Sequence, residues 1–202
     1  MDRTMTGEIG SAPTRERPRR KNDPAGMRSR ILGAAYELFQ LRGYNATSVQ
    51  DVAAAAGVTG GALHHHFPTK QALGLAAIRE TVAAAVEDTW LEPVRSASTA
   101  RAGILKVFAT LADELDAQGA VRGCPVNNLT LELGLANPDF RDELRLQFER
   151  WRRTISEKLG GQDADALAVM VIAAYSGAMA IAKAEQSGEP LRLCAGQLER
   201  LL

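Results

Sequence analysis

Residues 47–70 read Thr47-Ser48-Val49-Gln50-Asp51-Val52-Ala53-Ala54-Ala55-Ala56-Gly57-Val58-Thr59-Gly60-Gly61-Ala62-Leu63-His64-His65-His66-Phe67-Pro68-Thr69-Lys70. Thr47 to Gln50 has the form of a capping box, in which Thr47 accepts from the Gln50 amide and Gln50 reaches back. The short helix that follows carries Val49, Val52, Ala53 and Ala56, and Gly57 ends it. Thr59 caps a second short helix through Phe67, Pro68 breaks it, and Thr69 caps the next. Two short helices joined by Ala56-Gly57-Val58-Thr59 form a helix-turn-helix candidate. Gly57 supplies the backbone freedom of the turn, and Val58 plugs the angle between the helices.

Helical geometry sorts the second helix. Successive side chains turn by ~100°, so Leu63 and Phe67 share a core face, and Gly61 and His65 lie opposite, facing outward. His65 is the best-placed long side chain for base edges, while His64 and His66 suit the flanking backbone strands. Lys70 opens the next helix, where its ammonium can reach phosphate. Consecutive histidines diverge around a helix, and ligands to one ion need a spacing of i, i+4, so no metal site is expected. The helix lacks Arg, Asn and Gln, the bidentate readers of bases. Specificity should therefore lean on DNA shape, methyl contact from Ala62 and a basic arm.

That arm lies in residues 1–25, a Gly-, Pro-, Ser- and Arg-rich tail with Arg15, Arg17, Arg19, Arg20 and Lys21, read as disordered. Order is expected from about Met27, with Ile31, Leu32, Ala35, Leu38 and Phe39 at helical spacing up to Gly43. The helix capped by Thr69 should run to about Trp90, with Pro93 closing it. Further helices are expected over about 98–117, 125–135, from Pro138 to Leu159, 163–186 and 191–201, with Gly188-Glu189-Pro190 as the last break. Residues 1–73 hold ten Lys/Arg against six Asp/Glu, a net +4, and the remainder is −4, so the neutral total hides a basic N-terminal part.

The spaced residues Gly43-Tyr44, Thr47-Ser48-Val49, Val52-Ala53, Ala56 to Leu63, Phe67-Pro68-Thr69-Lys70 and Ala72-Leu73 resemble the signature of TetR-family repressors. The resemblance covers about 27–73 and implies an all-α protein. Residues 26–73 would be a three-helix helix-turn-helix DNA-binding domain, and 74–202 a helical ligand-binding and dimerisation domain. It implies operator DNA contacts from Thr47, Ser48, Thr59, Gly60, Gly61, Ala62, His64, His65, His66 and Lys70. Where His64 stands the family usually has an aromatic, often also at His66; imidazole can donate to phosphate in its place. Gly123-Cys124-Pro125-Val126-Asn127-Asn128-Leu129 is similar to a segment of LmrA/YxaF-like regulators, which commonly have Gly at the position of Asn127.

The resemblance further implies a homodimer and a small-molecule inducer, largely apolar. Ala173, Ala174, Ser176, Gly177, Ala178 and Ala180 let a partner helix approach closely, and Leu191, Leu193, Leu198 and Leu201 sit on the last helix. Candidate pocket residues are Trp90, Phe108, Leu111, Asn128, Leu129, Phe148, Trp151, Met170 and Tyr175. Cys124 precedes a helix N-terminus, where the dipole favours the thiolate of a redox or electrophile sensor; a small buried hydrophobe is the plainer reading. No cofactor, catalytic triad or phosphate loop is recognisable, so an enzyme is disfavoured. A DNA-binder without an inducer is the remaining alternative. With no apolar run of membrane-spanning length and no secretory signal, a cytoplasmic location is expected.

Overall fold

The computed structural model describes residues 23–202, and the basic arm lies outside them apart from its last residues. Every regular element among the described residues is helical. Helix α1 (Pro24–Arg42) begins three residues earlier than expected, because Asp23 accepts the Gly26 amide at 3.0 Å and Pro24 occupies the first turn. Helices α2 (Val49–Ala56) and α3 (Gly60–His66) are joined at Gly57, whose left-handed φ of 64° makes the turn. Ile31, Leu32, Ala35, Phe39, Val52, Ala53, Leu63 and Phe67 close the core between these three helices. Val58 packs against it, half-buried, as the turn requires.

Helix α4 covers residues 70–96 and alternates between α and π turns, with π segments at Ala77–Val82 and Glu87–Leu91. Pro93 does not close it. Proline has no N–H to donate and crowds the carbonyl four residues back. The widened π turn just before it absorbs both defects, so the rod continues to Ser96. Then come α5 (Ala100–Gln118), α6 (Pro125–Leu133), α7 (Pro138–Leu159), α8 (Ala164–Glu185) and α9 (Glu189–Leu201). Pro190 opens α9 rather than preceding it, since a first-turn N–H has no helical partner to lose.

By length and composition α8 could cross a membrane, with a mean hydropathy of 1.8. This corrects the expectation that no run is long and apolar enough. In the fold it packs on α7 and α9, burying Ala168, Val171, Ile172, Tyr175 and Met179. One hydrophobic core runs from α1 to α9 without a break at residue 74, because α4 belongs to both halves.

Candidate DNA-reading surface, ligand cavity and dimer face

Thr59 caps α3 by accepting the Ala62 amide at 3.2 Å. Leu63 and Phe67 are buried, while Gly60, Gly61, His64 and His65 are exposed and Ala62 and His66 half-exposed. A Cβ placed on Gly60 or Gly61 would meet open space, so nothing among the described residues requires glycine there. What the two glycines leave bare is the outward backbone at the start of α3.

The capping box of α2 is shifted by one residue from the expected register. Ser48 Oγ accepts the Asp51 amide at 3.0 Å, and the Asp51 carboxylate accepts the Ser48 N–H at 2.9 Å and its hydroxyl at 2.6 Å. These bonds hold the Asp51 carboxyl below the usual range. Thr47 is only 1% exposed and donates to the Gly43 carbonyl at 2.8 Å, which removes it from the outward surface. Lys70 is half-buried rather than extended: Nζ donates to the Asn45 carbonyl at 3.2 Å and sits 4.4 Å from the Tyr44 ring centroid.

A cavity of about 520 Å³ lies between α1, α4, α5, α7 and α8, with the segment before α6 as a strap across it. Of the candidate pocket residues, Trp90, Leu111, Trp151 and Tyr175 line it. The others do not. Phe108 stands behind Trp90 and Tyr175, at 5.7 and 5.9 Å between ring centroids. Phe148 stacks on Trp151 at 6.2 Å, and Leu129 and Met170 pack into the core. Asn128 donates to Gln40 Oε1 at 3.0 Å and to the Arg122 carbonyl at 2.9 Å, tying α6 to α1 and to the strap.

Sequence reasoning missed the wall that α1 contributes through Tyr36, Glu37 and Gln40. Their i, i+1, i+4 spacing placed them on the polar side of a helix assigned wholly to DNA binding. The strap contributes Arg122, which pairs with Glu37, and Cys124. Cys124 is buried, and desolvation pushes its thiol up, against the thiolate reading. Tyr175 is likewise pushed well above the ordinary phenol range by burial.

Below the cavity, α6 grips the turn that carries α2. Glu132 accepts the Tyr44 amide at 2.9 Å and the Asn45 amide at 2.6 Å. Tyr44 in turn packs between Phe39 and Phe140, at 5.2 and 5.0 Å between centroids. Arg28–Glu80 ties α1 to α4, and Gln71–Asp139 ties α4 to α7.

On the far side of the molecule, α8 and α9 present an uncovered apolar face. Val169 (49% exposed), Ala173, Gly177, Ala180 and Ile181 (52%) recur at helical spacing along α8, beside Leu193 (64%) and Leu201 (62%) on α9. Leu191 and Leu198 are buried within the chain instead. A Cβ on Gly177 would meet nothing within 4 Å.

Comparison with known proteins agrees with this architecture. Residues 31–77 match the profile described as bacterial regulatory proteins, tetR family, and residues 100–197 match the LmrA/YxaF-like transcriptional regulator C-terminal domain. The chain is 30% identical to the HTH-type transcriptional repressor DhaR of Mycobacterium sp. (strain GP1), over 82% of this chain and 86% of that one. It is 31% identical to the transcriptional regulator AcuR of Cereibacter sphaeroides, over 91% and 88%. The crystal structure of a TetR regulatory protein from Rhodobacter sphaeroides superposes with a TM-score of 0.76, at 27% identity over 85% of this chain and 96% of that one. With both halves matched and relatives at this identity over more than four-fifths of each chain, the chain belongs to the TetR family of bacterial transcriptional regulators, with a C-terminal domain of the LmrA/YxaF-like kind.

Proposed function

We propose that this protein is a homodimeric repressor that leaves its operator when a small molecule enters the cavity between α1, α4, α5, α7 and α8. The observation that carries this reading is the shared wall. Helix α1 of the DNA-reading unit lines the cavity with Tyr36, Glu37 and Gln40, and the strap at Arg122–Cys124 leads directly into α6, whose Glu132 holds the α1–α2 turn. A ligand that pushes the strap or the Tyr36 side of α1 moves the seat of α2 and α3. A DNA-binder with no inducer has no use for a cavity at this joint.

Two-fold pairing of the α8–α9 faces would bury Val169, Ile181, Leu193 and Leu201 in a four-helix interface. Two copies of α3 then address successive major grooves, about 34–36 Å apart. Gly60, Gly61, Ala62, His64, His65 and His66 meet the DNA, with the Thr59 cap and Ser48 at the flanking backbone. Lys70 reaches phosphate only after leaving Asn45. A ligand relieves repression by favouring a separation of the two α3 helices that no longer fits the grooves.

The test is footprinting of the purified dimer on genomic fragments, followed by titration with metabolite pools. A two-fold symmetric protected site, released by a compound that also quenches the cavity tryptophans, is the expected result. Release by compounds that leave those tryptophans unchanged would refute the cavity as the sensor.

A further inference from the structure

The cavity holds a chemical feature that its fold does not require. Trp90 and Trp151 are the chain's two tryptophans, both line the cavity, and each is 1% exposed. Neither indole Nε1 has a hydrogen-bond partner, and among the described residues these are the buried side-chain polar atoms left without one. Buried indole N–H groups ordinarily find an acceptor, and an orphaned donor loses its hydration without recompense. The polar group beside the Trp90 indole is the Tyr175 hydroxyl. The rings of Trp90, Trp151 and Tyr175 form a closed triangle, with centroids 4.9, 4.9 and 5.4 Å apart.

The lining charges narrow the class of ligand. Glu37 and Glu114 border the cavity, and Arg122, the cation on its wall, is engaged by Glu37. A carboxylate ligand would enter a lining that is net negative and would shed its hydration without a counter-ion, which is costly. An ammonium needs acceptors, and the indole N–H groups can only donate. An uncharged acceptor suffers neither penalty.

We propose that the ligand is a compact, uncharged, mostly apolar molecule bearing a carbonyl oxygen, which accepts from the indole N–H groups of Trp90 and Trp151. The inference rests on the reading of this cavity as the sensor site. Binding the carbonyl satisfies both orphaned donors, and it requires the aromatic triangle to part by small ring rotations. Tyr175 and the strap residue Cys124 beside it then move with the ligand, which connects the acceptor to α6.

The experiment uses the full-length protein and four probes of one shape: cyclohexanone, cyclohexane, cyclohexylammonium and cyclohexanecarboxylate. The readouts are the two indole N–H resonances in a ¹⁵N-correlated spectrum, assigned through Trp90→Phe and Trp151→Phe, and intrinsic tryptophan fluorescence. Cyclohexanone should bind about tenfold tighter than cyclohexane, the value of two modest neutral hydrogen bonds, and should shift both indole protons downfield. In either Phe variant that preference should shrink several-fold while cyclohexane binding is retained. Should a variant not fold, the wild-type resonances carry the test alone. Equal binding of ketone and hydrocarbon, or a preference for the ammonium or the carboxylate, overturns the acceptor assignment and leaves the cavity as a ligand site. If none of the four perturbs either indole, the acceptor assignment is overturned, while the sensor reading stands or falls on the footprinting titration.

Discussion

Replacing Glu132 with Ala should loosen the α1–α2 turn without touching the core. The carboxylate accepts two backbone amides, Tyr44 at 2.9 Å and Asn45 at 2.6 Å, from a helix 87–88 residues away in sequence. A hydrogen bond to a charged group contributes about 1.5–3 kcal/mol where it is shielded. Asn45 is exposed, so water replaces most of its loss; Tyr44 is buried, so little of its loss is recovered. The net cost should be about 2 kcal/mol, or about 4–8 °C in Tm for a chain of this size. Glu132→Gln keeps one accepting oxygen and should lose about half of that. Alanine is the better helix former, so intrinsic propensity works against the expected loss and cannot produce it. Differential scanning calorimetry reads the stability, and amide hydrogen exchange at Tyr44 and Asn45 reads the location. A Tm for Glu132→Ala within about 1 °C of wild type, or unchanged exchange at Tyr44, would refute Glu132 as the clasp between α6 and the DNA-reading unit.

Three further outcomes follow from the same geometry. A Cβ on Gly177 meets nothing within 4 Å among the described residues, so in Gly177→Leu the protomer should keep its fold while the dimer weakens by about 1–3 kcal/mol through overpacking; sedimentation showing an unchanged dimer would refute the α8–α9 interface. Operator affinity should fall several-fold when His64, His65 and His66 are all replaced by Ala, because they are the long polar side chains that α3 offers to phosphate. The chain's three histidines all lie on α3, and unchanged operator binding by the triple variant in fluorescence anisotropy would refute this. Burial raises the Cys124 thiol, so at pH 8 a thiol reagent should label Cys194 well before Cys124, as peptide mass spectrometry can verify; preferential labelling of Cys124 would contradict it.

Much of the architecture was open to reading because it is written in local signals. Caps at Thr59 and Thr69, the turn glycine at Gly57, and prolines in the first turns of α6 and α7 each act within a few residues, so their physics is complete in the sequence. The outward side of α3 was legible for the same reason, since a seven-residue helix with Leu63 and Phe67 inside has few ways to face. Where two neighbours could play one local part, sequence could not choose. Thr47 and Ser48 are both good caps, with Gln50 and Asp51 three residues on; the burial of Thr47 against the Gly43 carbonyl selected Ser48.

The cavity was decided by packing between distant segments. Aromatic residues at helical spacing are core by default, and nothing local separates Trp90 and Trp151, which line the cavity, from Phe108 and Phe148, which stand behind them. The wall from α1, the clasp of Glu132 on Tyr44 and the two orphaned indole N–H groups depend on partners dozens of residues away. Periodicity records which side of a helix is apolar, whereas only the tertiary arrangement settles which other helix that side meets and what space is left between them.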